Sequence, residues 1–306
     1  MFTTAQPVLS FTAPDFENIE QIKTRLAPFV NGSMSCEATP VTLLLWQSLY
    51  HQQIAFFEDM LFVRFTGGTN IYLLPFAKDM EKGISLLKRH TQSRGEPLLL
   101  FAAEGERLEE FLRLYRDKVT LEPSRDDFEY LYKVEALKTL SGKKYHSKRN
   151  HIAAFSRDYA WQYETLSPDH LEEVFAMADL WMADTLAQEG DSASVRAENA
   201  AIKRVLPHME QLGLKGGLIR VDGKVVAFCF GSAINSQVFD LHVEKALPAY
   251  RTAYAVINRE FAAHELGAFP YVNREDDMGL EGLRRAKLSY HPDLLLEKYI
   301  IKAKEQ

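Results

Sequence analysis

The sequence predicts an α/β (α+β) protein of two tandem lobes, each a mixed sheet flanked by helices. Three observations predict it. Strand-like runs alternate with amphipathic helical runs along the chain. The order hairpin, helix, strand, helix occurs twice, without visible sequence similarity between the copies. Length and composition suit two ordinary domains: 306 residues, 46% hydrophobic and 25% charged.

The first copy begins with MLFVRF and TNIYLLPF, two strand-rich runs around Gly67-Gly68. Residues 78–95 read as a helix, 96–103 as a buried strand and 104–118 as a second helix. In that helix Leu108, Phe111, Leu112 and Tyr115 fall on one face. The second copy begins with GGLIRV and KVVAFCFGSAI, joined by Asp222-Gly223, a dipeptide suited to the positive φ angles of a tight hairpin. A third strand follows over 236–247. Residues 248–267 form a helix with Pro248 in its first turn and Gly267 past its end. A strand (268–275), a short helix (280–290) and a final strand (294–302) complete the copy. Two helices, over 168–189 and 193–212, precede the second hairpin. The predicted lobes are residues 1–139 and 140–306, the second including a joining helix over 143–159.

Composition excludes several classes. The formal net charge of -6 argues against a general nucleic-acid binder, and no DNA partner is expected. The two cysteines, Cys36 and Cys229, lack a partner motif, which fits a reducing cytoplasm. MFTTAQPVLSFTAPDF has neither the basic nor the apolar region of a signal peptide. No apolar run approaches the roughly 20 residues of a membrane span. The P-loop, GxGxxG, HExxH, CxxC and GxSxG patterns are absent, and no metal is expected.

Against that acidic background, LSGKKYHSKRNHIAAF gathers cations at the start of the joining helix. At roughly 100° per residue, Tyr145, Ile152, Phe155 and Tyr159 form an apolar stripe. Lys148 projects from its middle, with Lys144 and Arg149 at its edges. A lysine there either snorkels to water or meets an anion in a cleft between the lobes.

Two further segments carry chemistry. In FDLHVEKA, period two places Asp240, His242 and Glu244 on one strand face. A histidine titrating near neutrality with carboxylates beside it suits acid–base work. The bland alternative is a solvated strand face. In YVNREDDMGLEGLRRAKLSYHP, Asn273, Arg274 and Glu275 end a strand where α/β ligands gather, and Arg284, Lys287 and Tyr290 follow. The bland alternative is a capped turn with salt bridges.

Those two basic and polar phrases, with the run SCEATPVTLLLWQSLYHQQIAFFEDMLFVRF, resemble the phosphatidylglycerol lysyltransferase C-terminal-like family over roughly residues 20–302. The resemblance implies two tandem GNAT-type acyltransferase lobes, as in the Fem-type aminoacyltransferases. It implies transfer of an acyl or aminoacyl group from aminoacyl-tRNA or acyl-CoA, as co-substrate rather than tightly bound cofactor, to an amine or hydroxyl. Carrier phosphates in such proteins meet a helix start, here ALPAYRTAYA. Tyr250, Ala253 and Ala255 stand at the spacing of the GNAT phosphate pattern with Arg251 adjacent, while the pattern's first Gln or Arg and its Gly are missing. The expected roles are proton removal by Asp240, His242 or Glu244. Lys148 with Arg149, or Arg284 with Lys287, would hold phosphate or acceptor anion. The altered pattern supports a second expectation, a non-catalytic module binding an anionic metabolite or peptide.

Overall fold

The computed structural model describes residues 9–304. The first helices in chain order are α1 (Ile19–Val30), α2 (Pro40–Leu45), α3 (Gln47–Tyr50), α4 (Met80–Ser93), α5 (Glu106–Tyr115) and α6 (Val134–Thr139). Then come α7 (His146–Asp158), α8 (Leu171–Glu189), α9 (Ala193–Val205), α10 (Met209–Leu212), α11 (Ala253–His264) and α12 (Glu281–Leu288). The strands are β1 (Gln52–Phe57), β2 (Met60–Phe65), β3 (Ile71–Leu73), β4 (Leu99–Ala103), β5 (Val119–Pro123), β6 (Glu129–Lys133) and β7 (Trp161–Thr165). They continue with β8 (Leu214–Val221), β9 (Lys224–Ala233), β10 (Val238–Ala246), β11 (Tyr271–Asn273), β12 (Leu294–Leu296) and β13 (Lys298–Ala303).

One compact unit is drawn from the segments up to Ser33, Trp46–Arg125 and from Glu297 onward. Its sheet runs β1-β2-β3-β4-β13-β5. Every neighbouring pair is antiparallel except β3 and β4, which α4 joins as a parallel crossover. Asp79 caps α4 by accepting the Lys82 amide at 2.9 Å. The helix then buries Met80, Ile84 and Leu87 against Tyr72, Leu74 and Leu100 of the sheet. Gly83 permits that approach, since a Cβ there would lie 2.9 Å from the Pro75 ring.

Arg107 of α5 stiffens the same corner. Its guanidinium lies 4.8 Å from the Phe29 ring and 4.6 Å from the Phe76 ring. It donates to the carbonyls of Leu74 (2.9 Å) and Pro75 (2.5 Å), which follow β3. Burial pushes its proton affinity down to about 10. Arg107→Ala therefore leaves two carbonyls and two ring faces without their partner. The expected cost is about 3 kcal/mol, read as a lower urea midpoint, and Arg107→Lys should recover only part of it.

The second unit comprises Met34–Leu45 and Asp126–Leu296. Its sheet runs β12-β6-β11-β10-β9-β8-β7, again with a single parallel pair, β10 and β11, joined by α11. Asp222 and Gly223 take φ of 47° and 76° at the β8–β9 turn, as the hairpin reading requires. One face of the sheet packs on α6, α7 and α11 through Tyr145, Ile152, Phe155, Phe239, Val256 and Phe261. Helix α8 packs on β9 and β10.

Residues 126–139, placed in the first lobe from the sequence, form β6 and α6 of this second unit. Strand β6 pairs with both β11 and β12 and buries Tyr130, Leu131 and Tyr132. The predicted final strand breaks at Glu297. Its first part, β12, pairs with β6, while β13 pairs with β4 and β5 in the other sheet. No helix among the described residues is long and apolar enough to cross a membrane.

Candidate active site

Strand β11 pairs only with the first three residues of β10, Asp240 standing opposite Asn273. Strand β10 runs on to Ala246. Where the parallel pairing stops, charged side chains collect on both faces of the sheet.

A slip in register decides which face each one occupies. Leu241 stands opposite Gly231 and Val243 opposite Phe230, so His242 is the extra residue of a bulge. Directly opposed residues share a face. Asp240 (opposite Ser232), Val243 (opposite Phe230) and Lys245 (opposite Phe228) lie on one side, and Leu241 and Glu244 (opposite Cys229) on the other. Period two places Asp240, His242 and Glu244 together. The bulge corrects this: it keeps Asp240 with His242 and turns Glu244 to the opposite face.

On the first face His242 Nδ1 lies 2.9 Å from Glu275 Oε1 and 3.4 Å from Asp240 Oδ2. Its Nε2 lies 2.9 Å from Ser232 Oγ. Both neighbours of Nδ1 are carboxylates, so Nδ1 carries the proton in the neutral ring and Nε2 accepts from Ser232. The His242 and Asp240 side chains are 0% exposed and that of Glu275 is 15% exposed, so Glu275 is the member that reaches solvent. Glu275 holds a left-handed φ of 55°, uncommon for a non-glycine residue. Its amide donates to Asn273 Oδ1 at 2.7 Å. Asn273 Nδ2 in turn donates to Met34 O at 2.8 Å and to the Glu129 carboxylate. Fully buried Glu129 also accepts Ser35 Oγ (2.8 Å), the Cys36 amide (3.0 Å) and Cys36 Sγ (3.2 Å).

On the second face Glu244 accepts Arg274 Nη2 and Asn258 Nδ2, both at 2.9 Å. The Arg274 guanidinium stands 4.9 Å from the Tyr290 ring and 5.6 Å from that of Tyr132. Lys148 Nζ lies 3.8 Å from the same Tyr290 ring and donates to Ser289 Oγ at 2.7 Å. Burial, then the Arg274 charge, brings the Lys148 ammonium down to about 8. Lys148 thus sits with Arg274 and Tyr290, a grouping that sequence spacing alone did not reveal.

The remaining cations hold the fold locally. Arg284 grips Asp277 (2.8 and 2.7 Å) and Asp126 (2.7 Å). Lys287 donates to the carbonyls of Arg274 (2.5 Å) and Asp276. Arg149 donates to the Leu140 and Gly142 carbonyls after α6. Lys144 Nζ lies 5.0 Å from the Tyr145 ring. Tyr250 packs against Tyr159 at 5.0 Å, and Arg251 is exposed. Ser232 and Glu129 escaped sequence reasoning because nothing in their local pattern marks them. Two sets of donor atoms, Asp240/His242/Glu275 and Cys36/Glu37/Glu129, each lie within 4.8 Å and could hold a cation, although sequence spacing predicts no metal.

The charged turn after β11 has a pH signature. Burial alone would raise the Asp277 carboxyl, but Arg284, Tyr130 and the Gly279 amide outweigh it and hold it at about 2. That stabilisation is present above about pH 4 and is lost as pH falls through about 2. Burial lowers Lys287 to about 8 from an ordinary 10.5. Between these values the unfolded chain binds more protons, so stability should rise from about pH 8 to about 10.5. Lys148 contributes with the same sign. Urea midpoints across pH check this, and Lys148→Met and Lys287→Met should each remove part of the alkaline rise.

A family described as "Phosphatidylglycerol lysyltransferase, C-terminal" matches residues 35–302. A crystal structure of a conserved protein of unknown function from Bacteroides thetaiotaomicron is 31% identical, with TM-score 0.85 over 97% of this chain and 100% of that one. L-PGS from Bacillus licheniformis shares the fold, with TM-score 0.65 at 15% identity over 96% of this chain and 93% of that one. FemX does so with TM-score 0.58 at 8% identity over 95% of this chain and 96% of that one. An uncharacterised protein of Mycoplasmoides gallisepticum is 24% identical over 179 residues, 56% of this chain, and the match spans 55% of that relative's length. The two units, each with one parallel pair inside a mixed sheet flanked by helices, have the fold shared with L-PGS and FemX. The chain belongs to the phosphatidylglycerol lysyltransferase C-terminal family.

Proposed function

We propose that the protein transfers an aminoacyl group from aminoacyl-tRNA to an amine or hydroxyl acceptor by direct attack. The observation that carries this reading is the parted end of β10 and β11, where Glu275, the solvent-reaching member, contacts the buried His242–Asp240 pair. The acceptor nitrogen or oxygen bonds to the acyl carbon and the carrier ester bond breaks. The acceptor proton passes to the Glu275 carboxylate, which the His242 Nδ1–H holds in place, and returns to the leaving ribose oxygen. Asp240, 3.4 Å from the same nitrogen, keeps the proton of the neutral ring on Nδ1.

Aminoacyl-tRNA suits this chain better than acyl-CoA. At the start of α11, Ala253 and Ala255 are buried in the core, and Tyr250 in the turn before them packs on Tyr159. That leaves no glycine for close approach of a pyrophosphate. A cytoplasmic location follows from that donor.

The test is single-turnover transfer from labelled aminoacyl-tRNA, with acyl-CoAs in parallel, to a panel of amines and hydroxyls. Acceptor-dependent loss of the aminoacyl label from tRNA is expected. Transfer from acyl-CoA alone would replace the donor. Tight ligand binding without turnover would favour a binding module.

A further inference from the structure

The second face of the site has one positive charge more than its carboxylate can balance. Lys148 and Arg274 share the Tyr290 ring, at 3.8 and 4.9 Å. Glu244 is bound to Arg274 and to Asn258. Two cations against one carboxylate leave a charge of +1. Among the described residues Lys148 has the Ser289 hydroxyl and the Tyr290 ring as its contacts and no carboxylate in salt-bridge range. Arg274 adds a second observation. Its Nη1 is buried and has no hydrogen-bond partner among the described residues. A half-buried ammonium and a buried guanidinium nitrogen lacking an acceptor, in two cations that share the Tyr290 ring, are costly unless an anion balances them.

We propose that Lys148 and Arg274 form a binding site for a singly charged oxyanion, a carboxylate or a phosphodiester, borne by the acceptor, while the Ser289 hydroxyl, which donates to the Ala286 carbonyl and accepts from Lys148, sets the position of the ammonium. A single charge neutralises the cluster, whereas a dianion would leave a net negative charge in a half-buried place. The Tyr290 ring supplies a flat apolar wall beside the oxygens. The assignment to the acceptor rests on the transferase reading; the binding itself does not.

The charges facing Lys148 are Arg274 after β11 and Glu244 on β10, with His151 one turn along α7. Both cations act together, and the lysine loses its proton near pH 8. Affinity should therefore fall about tenfold per pH unit above that point.

The test is thermal shift and calorimetric titration with acetate, dimethyl phosphate and sulfate at matched ionic strength. Saturable stabilisation by acetate or dimethyl phosphate is expected, and which of the two binds more tightly tells a carboxylate acceptor from a phosphodiester one. Lys148→Met should weaken it at least tenfold. Lys148→Arg should retain it and flatten its pH dependence, because guanidinium stays charged. Unchanged affinity in Lys148→Met, preference for sulfate over both monoanions, or no binding to the wild type would each overturn the site. Binding is read without turnover, so an inactive protein that still binds the anion sinks only the transferase reading.

Discussion

Glu275→Gln is expected to lower kcat/KM for aminoacyl transfer by about 10²–10⁴-fold, with donor binding little changed. The substitution preserves shape and leaves an oxygen to accept from His242, so the turn should survive. What it removes is the basicity of the one cluster member that reaches solvent. His242→Asn should fall into the same range, since it strips the Nδ1–H that holds the Glu275 carboxylate. The double variant should cost little more than either single one, because the two act as a unit. Ser232→Ala should be milder. It removes a hydroxyl partner of Nε2 while Glu275 still fixes Nδ1. Additive losses would show that Glu275 and His242 work separately, contrary to the proposed pairing.

Gly231→Ala is expected to destabilise the second unit by about 3 kcal/mol. A Cβ at this position would lie 2.0 Å from the Asp240 carbonyl oxygen and 2.6 Å from Phe239 Cε1. The carbonyl belongs to the paired backbone of β10 and cannot swing aside as a flexible side chain would. Gly231 stands opposite Leu241, immediately before the bulge that aims His242. The substitution should therefore disturb the site along with the sheet, lowering the urea midpoint and transfer together. Gly68→Ala is the control. Among the described residues nothing lies within 4 Å of a Cβ there, and its effect should stay within about 0.5 kcal/mol.

Much of this fold is legible in local chemistry. Asp222-Gly223 specifies its hairpin, the apolar stripe of 143–159 specifies α7, and the repeated element order specifies two related units. Sheet membership is less legible. The EYLYK of β6 carries no mark telling which sheet it joins, and LLLEKYIIK reads as one strand although its parts serve two. Pairing partners far apart in sequence decide such matters, and local propensity does not encode them.

The site divides in the same way. Asp240, His242, Lys148 and the NRE turn stand out because their residue types are unusual in an apolar stripe or at a strand end. Their grouping does not. A bulge, invisible to strict alternation, separates Glu244 from His242 and gives it to Arg274. Arg284 and Lys287 appear as ligand cations in sequence, yet each is occupied by the turn it holds. Glu129 acts on Glu275 through Asn273, a connection spanning strands that only the folded chain brings together.

The most direct measurement is single-turnover loss of label from aminoacyl-tRNA, with an acceptor panel, in wild type and Glu275→Gln. The wild type should transfer in an acceptor-dependent way, and the variant should lose at least about 10²-fold. Equal transfer by both proteins, or none by a folded wild type with any acceptor, would contradict the proposal.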